Sequence, residues 1–166
     1  VALLRNKPQK PMKTLCMIVL CLAMGAAHAQ TAAERKQEFN LEQGLALQGY
    51  DPVSYFAGKP RKGNADLTLV HQGATYLFSS RANLEVFRKT PAAYEPQYGG
   101  WCAYAMGKTG EKVPVDPETY KVKDSKLYLF YNRFFNNTLP KWNADEAALH
   151  RNADANWRKF VGAQQF

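Results

Sequence analysis

The sequence predicts an α+β domain: a small antiparallel sheet of hairpins, with a short middle helix and a C-terminal amphipathic helix packed on it. Two pairs of short apolar segments are each separated by turn-forming residues, which is typical of β-hairpins. Near the C-terminus, apolar residues recur at helical spacing and indicate an amphipathic helix. Strands and helices interleave without the strand–helix–strand rhythm of a parallel sheet, so the α+β class is favoured.

Residues 1–29 have the features of a secretory signal peptide with an upstream extension. Lys13 provides a positive charge, a short apolar run follows it, and Ala27-His28-Ala29 forms a small-x-small cleavage site. The apolar run is too short to cross a bilayer comfortably. We therefore expect cleavage after Ala29, a periplasmic or secreted location, and no stable membrane insertion of the mature chain.

The rest of the chain is of a size that suits one domain. Residues 30–46 form a polar lead-in, in which we expect residues 30–37 to be frayed with a weak helical turn over Ala32–Glu38, and residues 47–166 form the single domain. Without the leader, the formal net charge falls from +8 to +4. No run of Lys or Arg marks a nucleic-acid footprint, so we expect no nucleic-acid partner.

Once the leader is removed, Cys102 is the one remaining cysteine, and it cannot form an internal disulfide.

The first hairpin is predicted from Leu67–His71 and Thr75–Ser79, which flank a turn centred on a glycine. Apolar residues alternate along both arms, so each arm presents one apolar face. A helix over Arg81–Lys89 follows, because Ser79 or Ser80 suits the N-cap position.

The second hairpin is predicted from Tyr120–Lys123 and Lys126–Tyr131, with a turn at Asp124-Ser125. Both faces of its second arm are apolar, which predicts a central strand. Asn143 is predicted to cap a C-terminal helix over Ala144–Val161. The apolar stripe of that helix consists of Leu149, Ala153, Trp157 and either Phe160 or Val161.

The segment between the two hairpins combines aromatic residues, a Gly-Gly pair and Cys102. A short helix over Trp101–Met106, ended by Gly107, would place Cys102 and Met106 on one face. A thiol, a thioether and a histidine suit Cu(I). The candidate metal site is therefore Cys102, Met106 and His71. A half-buried structural histidine is the alternative interpretation of His71.

The aromatic residues of this region also predict a pocket for a small ligand. Core packing would produce the same composition, and Asp51 before Pro52 is equally suited to form a turn. The candidate pocket residues are Tyr50, Asp51, Tyr98, Trp101 and Tyr104.

Cys102 has three interpretations: a small buried hydrophobe, a soft-metal ligand, or a redox thiol activated by a helix N-terminus. The chain contains no Gly-rich phosphate loop, H-E-x-x-H, G-x-S-x-G or C-x-x-C motif. This absence argues against common hydrolases, nucleotide enzymes and thioredoxin-like proteins.

Several motifs, in order, resemble those of the YHS-domain family and of its exported, stand-alone branch. They are Gly49-Tyr50-Asp51-Pro52-Val53, Gly73-Ala74-Thr75-Tyr76-Leu77-Phe78-Ser79-Ser80, Pro96-Gln97-Tyr98-Gly99-Gly100-Trp101-Cys102-Ala103, Asp116-Pro117 and Leu127-Tyr128-Leu129. The resemblance to the copper-transporter members of this family implies a metal site that is formed by cysteines. The matching positions here are Ser54, Ser79 and Asn83, so that thiolate set is absent and metal binding does not carry over.

These observations predict an exported, non-enzymatic protein that binds a metal ion, with copper as the candidate, or a small ligand near Cys102. A thiol-dependent redox enzyme that uses Cys102 is the first alternative. An interaction module with an inert core cysteine is the second.

Overall fold

A computed structural model describes residues 32–33 and 35–161 of the 166-residue chain. The predicted leader and its cleavage site lie outside these residues. Helices and small sheets are intermixed along the chain, which confirms the α+β class. Among the described helices, none has the length and apolar character that a membrane span requires.

The largest sheet has four strands in the order β1-β2-β4-β3. The predicted first hairpin is confirmed as β3 and β4, and the pair His71↔Ala74 closes its turn. The sheet is not purely antiparallel, because Leu45 pairs with Thr75 in the parallel sense. The strands are β1 (Leu41–Glu42), β2 (Leu45–Ala46), β3 (Asn64–His71) and β4 (Ala74–Phe78).

Helix α1 (Arg81–Lys89) has the predicted bounds. The Ser80 side chain accepts a hydrogen bond from the Asn83 backbone N–H, which confirms a serine N-cap. Phe87 is completely buried against the sheet, with its ring 4.7 Å from the Tyr76 ring. The helix thus covers the apolar face of β4.

Helix α2 (Ala103–Lys108) begins two residues later than predicted, with Cys102 at its N-cap. Gly107 lies inside this helix and does not end it. A Cβ atom on Gly107 would lie 2.4 Å from the Leu149 carbonyl oxygen. The glycine is therefore required for the close approach of another helix.

The second hairpin is confirmed as β5 (Asp116–Lys123) and β6 (Lys126–Phe130). Residues 127–130 of β6 are all buried. The prediction of a central strand is wrong, because the sheet has two strands. Isolated parallel bridges, Pro96↔Leu127 and Cys102↔Leu129, cover the other edge of β6.

A third, unpredicted hairpin consists of β7 (Asn132–Arg133) and β8 (Asn136–Asn137). The predicted C-terminal helix is confirmed as α4 (Glu146–Val161), which begins two residues later than predicted, and a separate, unpredicted helix, α3 (Leu139–Ala144), precedes it. Asn143 lies within α3 and is not a cap. The predicted stripe is confirmed, because Leu149, Ala153, Trp157 and Val161 are buried.

Helix α4 packs mainly against α2 and less on a sheet than predicted. The core accordingly has two clusters. The first surrounds the four-stranded sheet and includes Tyr55, Phe78 and Cys102. The second lies between α2, β6 and α4 and includes Met106 and Trp142.

The lead-in is more ordered than expected. Residues 35–38 are helical, and Arg35 and Phe39 are buried. The Phe39 and Trp157 rings are 5.8 Å apart, so the lead-in contacts α4. The expectation of fraying is therefore wrong for residues 35–37, whereas the helical turn predicted over Ala32–Glu38 agrees with the helical backbone described at 32–33 and 35–38.

Glu146 at the start of α4 forms ion pairs with Lys121 and Lys123 of β5. Burial raises the pKa of its carboxyl, but hydrogen bonds from Lys121, Lys123 and Trp142 outweigh this effect and lower the pKa from 4.5 to about 2. Because the pKa is lower in the folded state, the carboxylate stabilises the fold fully above about pH 4.5, and this contribution is lost as the pH falls toward about 2.

We therefore expect Glu146→Gln to flatten the dependence of the unfolding free energy on pH between about 4.5 and 2. Denaturant unfolding at a series of pH values measures this dependence. A variant as acid-sensitive over this range as the parent would contradict the assignment.

Candidate functional site

Cys102 is completely buried at the N-cap of α2. Its sulfur accepts a hydrogen bond from the Tyr131 backbone N–H, with an N···S distance of 3.3 Å. The Thr138 hydroxyl lies 3.4 Å from the same sulfur and donates to the Tyr131 carbonyl oxygen at 2.9 Å. The thiol is therefore held among groups of the chain that connects β6 to α3.

A cleft with a volume of about 260 Å³ lies beside this thiol, and we call it the Cys102 cleft. Its wall is mainly apolar, and Lys108 and Glu111 supply charged groups. Cys102 borders the cleft but has no solvent-exposed surface. The principal wall residues are Cys102, Tyr104, Ala105, Val113, Tyr131 and Thr138.

Met106 does not join Cys102 in one site. It is completely buried in the second core cluster, whereas Cys102 belongs to the first. The predicted shared face assumed that both residues lie within one helix. Cys102 is instead an N-cap with a ψ of 115°, so its side chain does not follow the helical spacing.

His71 lines a different cavity, of about 400 Å³, which we call the Arg35 cavity. The imidazole is half-buried, and this burial lowers its pKa; nearby Glu95 raises the pKa and Arg35 lowers it. The three predicted metal ligands are thus distributed over two cavities and a core cluster. In the part of the chain that the structure describes, no group of three or more His, Cys, Asp or Glu side chains could hold a metal ion.

The five predicted pocket residues do not form one wall. Tyr104 lines the Cys102 cleft, and Tyr98 lines the Arg35 cavity. The Tyr50 hydroxyl donates to Glu118 at 3.0 Å, and the Trp101 indole donates to the Glu38 carbonyl oxygen at 2.6 Å. These contacts place Tyr50 and Trp101 in structural roles at the edges of the two core clusters.

The Tyr98 hydroxyl donates to the Asp154 carboxylate at 3.0 Å. Burial raises the pKa of this phenol, and the Asp154 charge adds to the effect. Tyr98 also has a φ of +55°, in the left-handed region. The adjacent Gly99 has no side chain because a Cβ atom there would lie 2.8 Å from the Trp157 ring.

Asp51 is completely buried. One carboxylate oxygen accepts from the Val53 N–H at 2.9 Å, which confirms its turn-forming role. The other accepts from the Ser79 N–H at 2.9 Å, the Ser79 hydroxyl at 2.6 Å and the Asn83 amide at 2.7 Å. Four donors therefore satisfy the buried carboxylate.

The three positions that the resemblance matches to cysteines all lie around Asp51. Ser79 and Asn83 bind its carboxylate, and the Ser54 hydroxyl donates to its carbonyl oxygen at 2.7 Å. The Ser54 oxygen also accepts from the Arg61 N–H at 2.9 Å. These side chains act as hydrogen-bonding partners and leave no vacant ligand position at the carboxylate.

Sequence reasoning missed the Arg35 cavity because the lead-in was expected to be frayed. Arg35 is buried, forms an ion pair with Glu95, and lies over the Phe39 ring at 4.2 Å. Among the described residues, its Nε atom is buried without a hydrogen-bond partner. A useful sequence signal would have been Arg35 and Phe39 at the i, i+4 spacing of one helix face.

No family model matches the chain, and neither a curated protein nor a solved structure does.

The burial of Cys102 predicts its reactivity. In the native protein we expect alkylation by iodoacetamide to be far slower than for a free thiol, because the reagent must wait for the structure to open. The labelling rate should rise with denaturant in parallel with unfolding, as mass spectrometry can measure. Fast labelling without denaturant would show that the thiol is reached from the cleft.

Proposed function

We propose that the chain is an exported, non-enzymatic binding protein that holds a small, mainly apolar ligand in the Cys102 cleft. Export is supported by the features of residues 1–29, and a relation to the YHS-domain family by the motifs between Gly49 and Leu129. The observation that carries the ligand proposal is the cleft itself, with its volume of about 260 Å³ and mainly apolar wall.

The cleft volume indicates the size of the ligand. An apolar cavity of about 150 Å³ is large enough to hold benzene, whereas drug-sized ligands occupy about 300–1,000 Å³. The Cys102 cleft lies between these limits and suits a molecule with one or two rings. The Tyr104 and Tyr131 side chains supply aromatic surface for such a ligand.

The contacts of Cys102 favour this ligand over a metal ion. Its sulfur already accepts a hydrogen bond from Tyr131, and Met106 belongs to the other core cluster. A stable Cu(I) or Zn²⁺ site needs several suitable donors around one point. The cleft wall offers one sulfur and no histidine.

The same contacts argue against a thiol enzyme. The hydrogen-bonding neighbours of the sulfur are the Thr138 hydroxyl and the Tyr131 N–H. Neither group is a general base at neutral pH, and a thiol nucleophile needs an activating base or cation. An interaction module remains the competing class, and ligand binding in the cleft distinguishes the two.

Titration with indole, followed by amide NMR, tests the proposal. We expect saturable shifts at Tyr104, Val113 and Tyr131, which line the cleft. Ala105→Phe should fill the cleft and abolish these shifts. Ala92→Phe is the matched control, because Ala92 lines the Arg35 cavity and its substitution should leave binding unchanged.

Two results would overturn the proposal. Indole could bind in a manner that Ala92→Phe blocks and Ala105→Phe does not, or it could cause no saturable shift at all. Native mass spectrometry of the protein purified from its own compartment should also reveal a bound small molecule and no stoichiometric metal. Stoichiometric zinc that survives dialysis would contradict the preference for an organic ligand.

The Arg35 cavity offers a second candidate, the binding of a ligand with an acceptor oxygen. Its volume of about 400 Å³ lies within the range of ligand pockets, and the unpartnered Nε of Arg35 favours an acceptor. Because indole has no acceptor oxygen, benzoate is the probe for this cavity, and loss of benzoate binding in Ala92→Phe with retention in Ala105→Phe would favour it.

A further inference from the structure

The tip of the third hairpin presents two adjacent aromatic side chains to solvent. Phe134 is 89% exposed and Phe135 is 112% exposed, more than any other large hydrophobic residue that the structure describes. They connect β7 to β8 as a two-residue turn. Adjacent, fully exposed phenylalanines at a projecting turn indicate an interaction surface.

The backbone at this turn is unfavourable for phenylalanine. Phe134 has a φ of +52° and Phe135 a φ of +60°, so both lie in the left-handed region. Hairpin turns of this type favour Asn-Gly or Asp-Gly, which adopt positive φ more readily. Neither solubility nor backbone preference therefore accounts for the two phenylalanines, and such strain is characteristic of functional positions.

The base of the hairpin is firmly attached to the domain. The Asn132 amide donates to the Thr119 hydroxyl at 2.9 Å. Thr138 is buried, and its backbone N–H donates to the Tyr131 carbonyl oxygen at 3.0 Å. The two rings are thus presented by an anchored hairpin whose own strands are only two residues long.

The third hairpin and helix α3 carry only positive charges. Arg133 and Lys141 are both exposed, and the Lys141 ammonium donates to the Asn136 side chain at 2.7 Å, beside the turn. Residues 130–144 contain no Asp or Glu. Aromatic rings flanked by cations match a lipid surface, where rings enter the acyl boundary and cations meet anionic headgroups.

We propose that the Phe134–Phe135 hairpin docks the protein peripherally on a lipid surface with anionic headgroups. A lipid surface fits the size of the tip better than a protein partner does. Two phenylalanines bury roughly 300–500 Å², whereas a stable protein interface buries about 800 Å² on each partner. The inference is independent of the ligand proposed for the Cys102 cleft.

Co-sedimentation with vesicles tests the inference. We expect the protein to bind vesicles of equal parts phosphatidylglycerol and phosphatidylcholine, and to bind pure phosphatidylcholine at least about tenfold more weakly. The double variant Phe134→Asn, Phe135→Gly should lose at least about tenfold in affinity for the mixed vesicles. Its melting temperature should be no lower than that of the parent, because Asn-Gly suits the turn.

Two further variants separate the contributions of the two aromatic rings and of the neighbouring cations to vesicle binding. Val70→Ser removes another exposed hydrophobic residue, which is 66% exposed and lies on β3, and should leave vesicle binding unchanged. Arg133→Gln combined with Lys141→Gln should weaken binding to the mixed vesicles and reduce its salt dependence.

The proposal is overturned if the parent does not bind the mixed vesicles, or if the double variant binds as well as the parent. Sedimentation velocity without lipid supplies another decisive result. If the parent self-associates and the double variant does not, the tip contacts a second copy of the chain and the lipid proposal is wrong.

Discussion

Replacement of Asp51 with alanine is expected to lower the free energy of unfolding by at least about 3 kcal/mol. The carboxylate is completely buried and accepts from four donors, two backbone N–H groups and two side chains. A buried donor without a partner costs about 1–3 kcal/mol. The loss of Asp51 removes the acceptor for all four donors, although a water molecule that enters the space would offset part of the cost.

Denaturant unfolding of Asp51→Ala and two companions measures this effect. Asp66→Ala is the matched control, because Asp66 is an exposed carboxylate on β3 and should change the unfolding free energy by no more than about 0.5 kcal/mol. Asp51→Asn should lie between the two, because an amide retains one acceptor oxygen. Equal losses for Asp51→Ala and Asp66→Ala would show that the network does not stabilise the fold.

Replacement of Trp142 with alanine is expected to lower the free energy of unfolding by about 3–5 kcal/mol. The Trp142 side chain is completely buried in the second core cluster. Its ring lies 5.8 Å from the Tyr128 ring and 5.7 Å from the Phe130 ring. The truncation leaves a large cavity and frees the Glu146 carboxylate from its indole hydrogen bond.

Phe135→Ala is the control for this second effect, because it removes an aromatic ring that is fully exposed. We expect its unfolding free energy to stay within about 0.5 kcal/mol of the parent. Trp142→Phe should cost less than Trp142→Ala, since a ring still occupies part of the space. If Trp142→Ala unfolded at the same denaturant concentration as Phe135→Ala, this result would contradict the packing of Trp142 between α3 and β6.

Alternation and helical spacing identified most of the fold because both are local properties of the backbone. Leu67, Leu69 and His71 alternate on β3, and the burial of that strand follows the same period. The Ser80 cap of α1 and the buried stripe of α4 are likewise consequences of neighbouring residues in the chain.

The candidate site was less predictable, because its geometry depends on contacts between distant segments. The i, i+4 spacing of Cys102 and Met106 indicated one face, but the first is a cap and the second lies inside α2. The hydrogen-bonding partners of Cys102 are Tyr131 and Thr138, which lie 29 and 36 residues later in the chain. The sequence contains no local signal for that approach.

The exposure of Phe134 and Phe135 also depends on tertiary structure and not on local sequence pattern. Their side chains are apolar, so sequence pattern alone would favour burial. The two-residue strands β7 and β8 place them instead at a projecting turn with positive φ. The two rings are exposed because the hairpin places its turn outside the packed domain.

Local sequence patterns were sufficient to predict the α+β class, both hairpins, the bounds of α1 and the apolar stripe of α4, because each depends on residues that are close in the chain. The start of α2, the boundary between α3 and α4, and the side chains that meet at Asp51 and Cys102 depend on tertiary packing. The Leu149 carbonyl at Gly107 and the convergence of Ser79 and Asn83 on Asp51 are contacts between segments far apart in sequence. Such contacts follow from the packing of whole elements, which local periodicity does not encode.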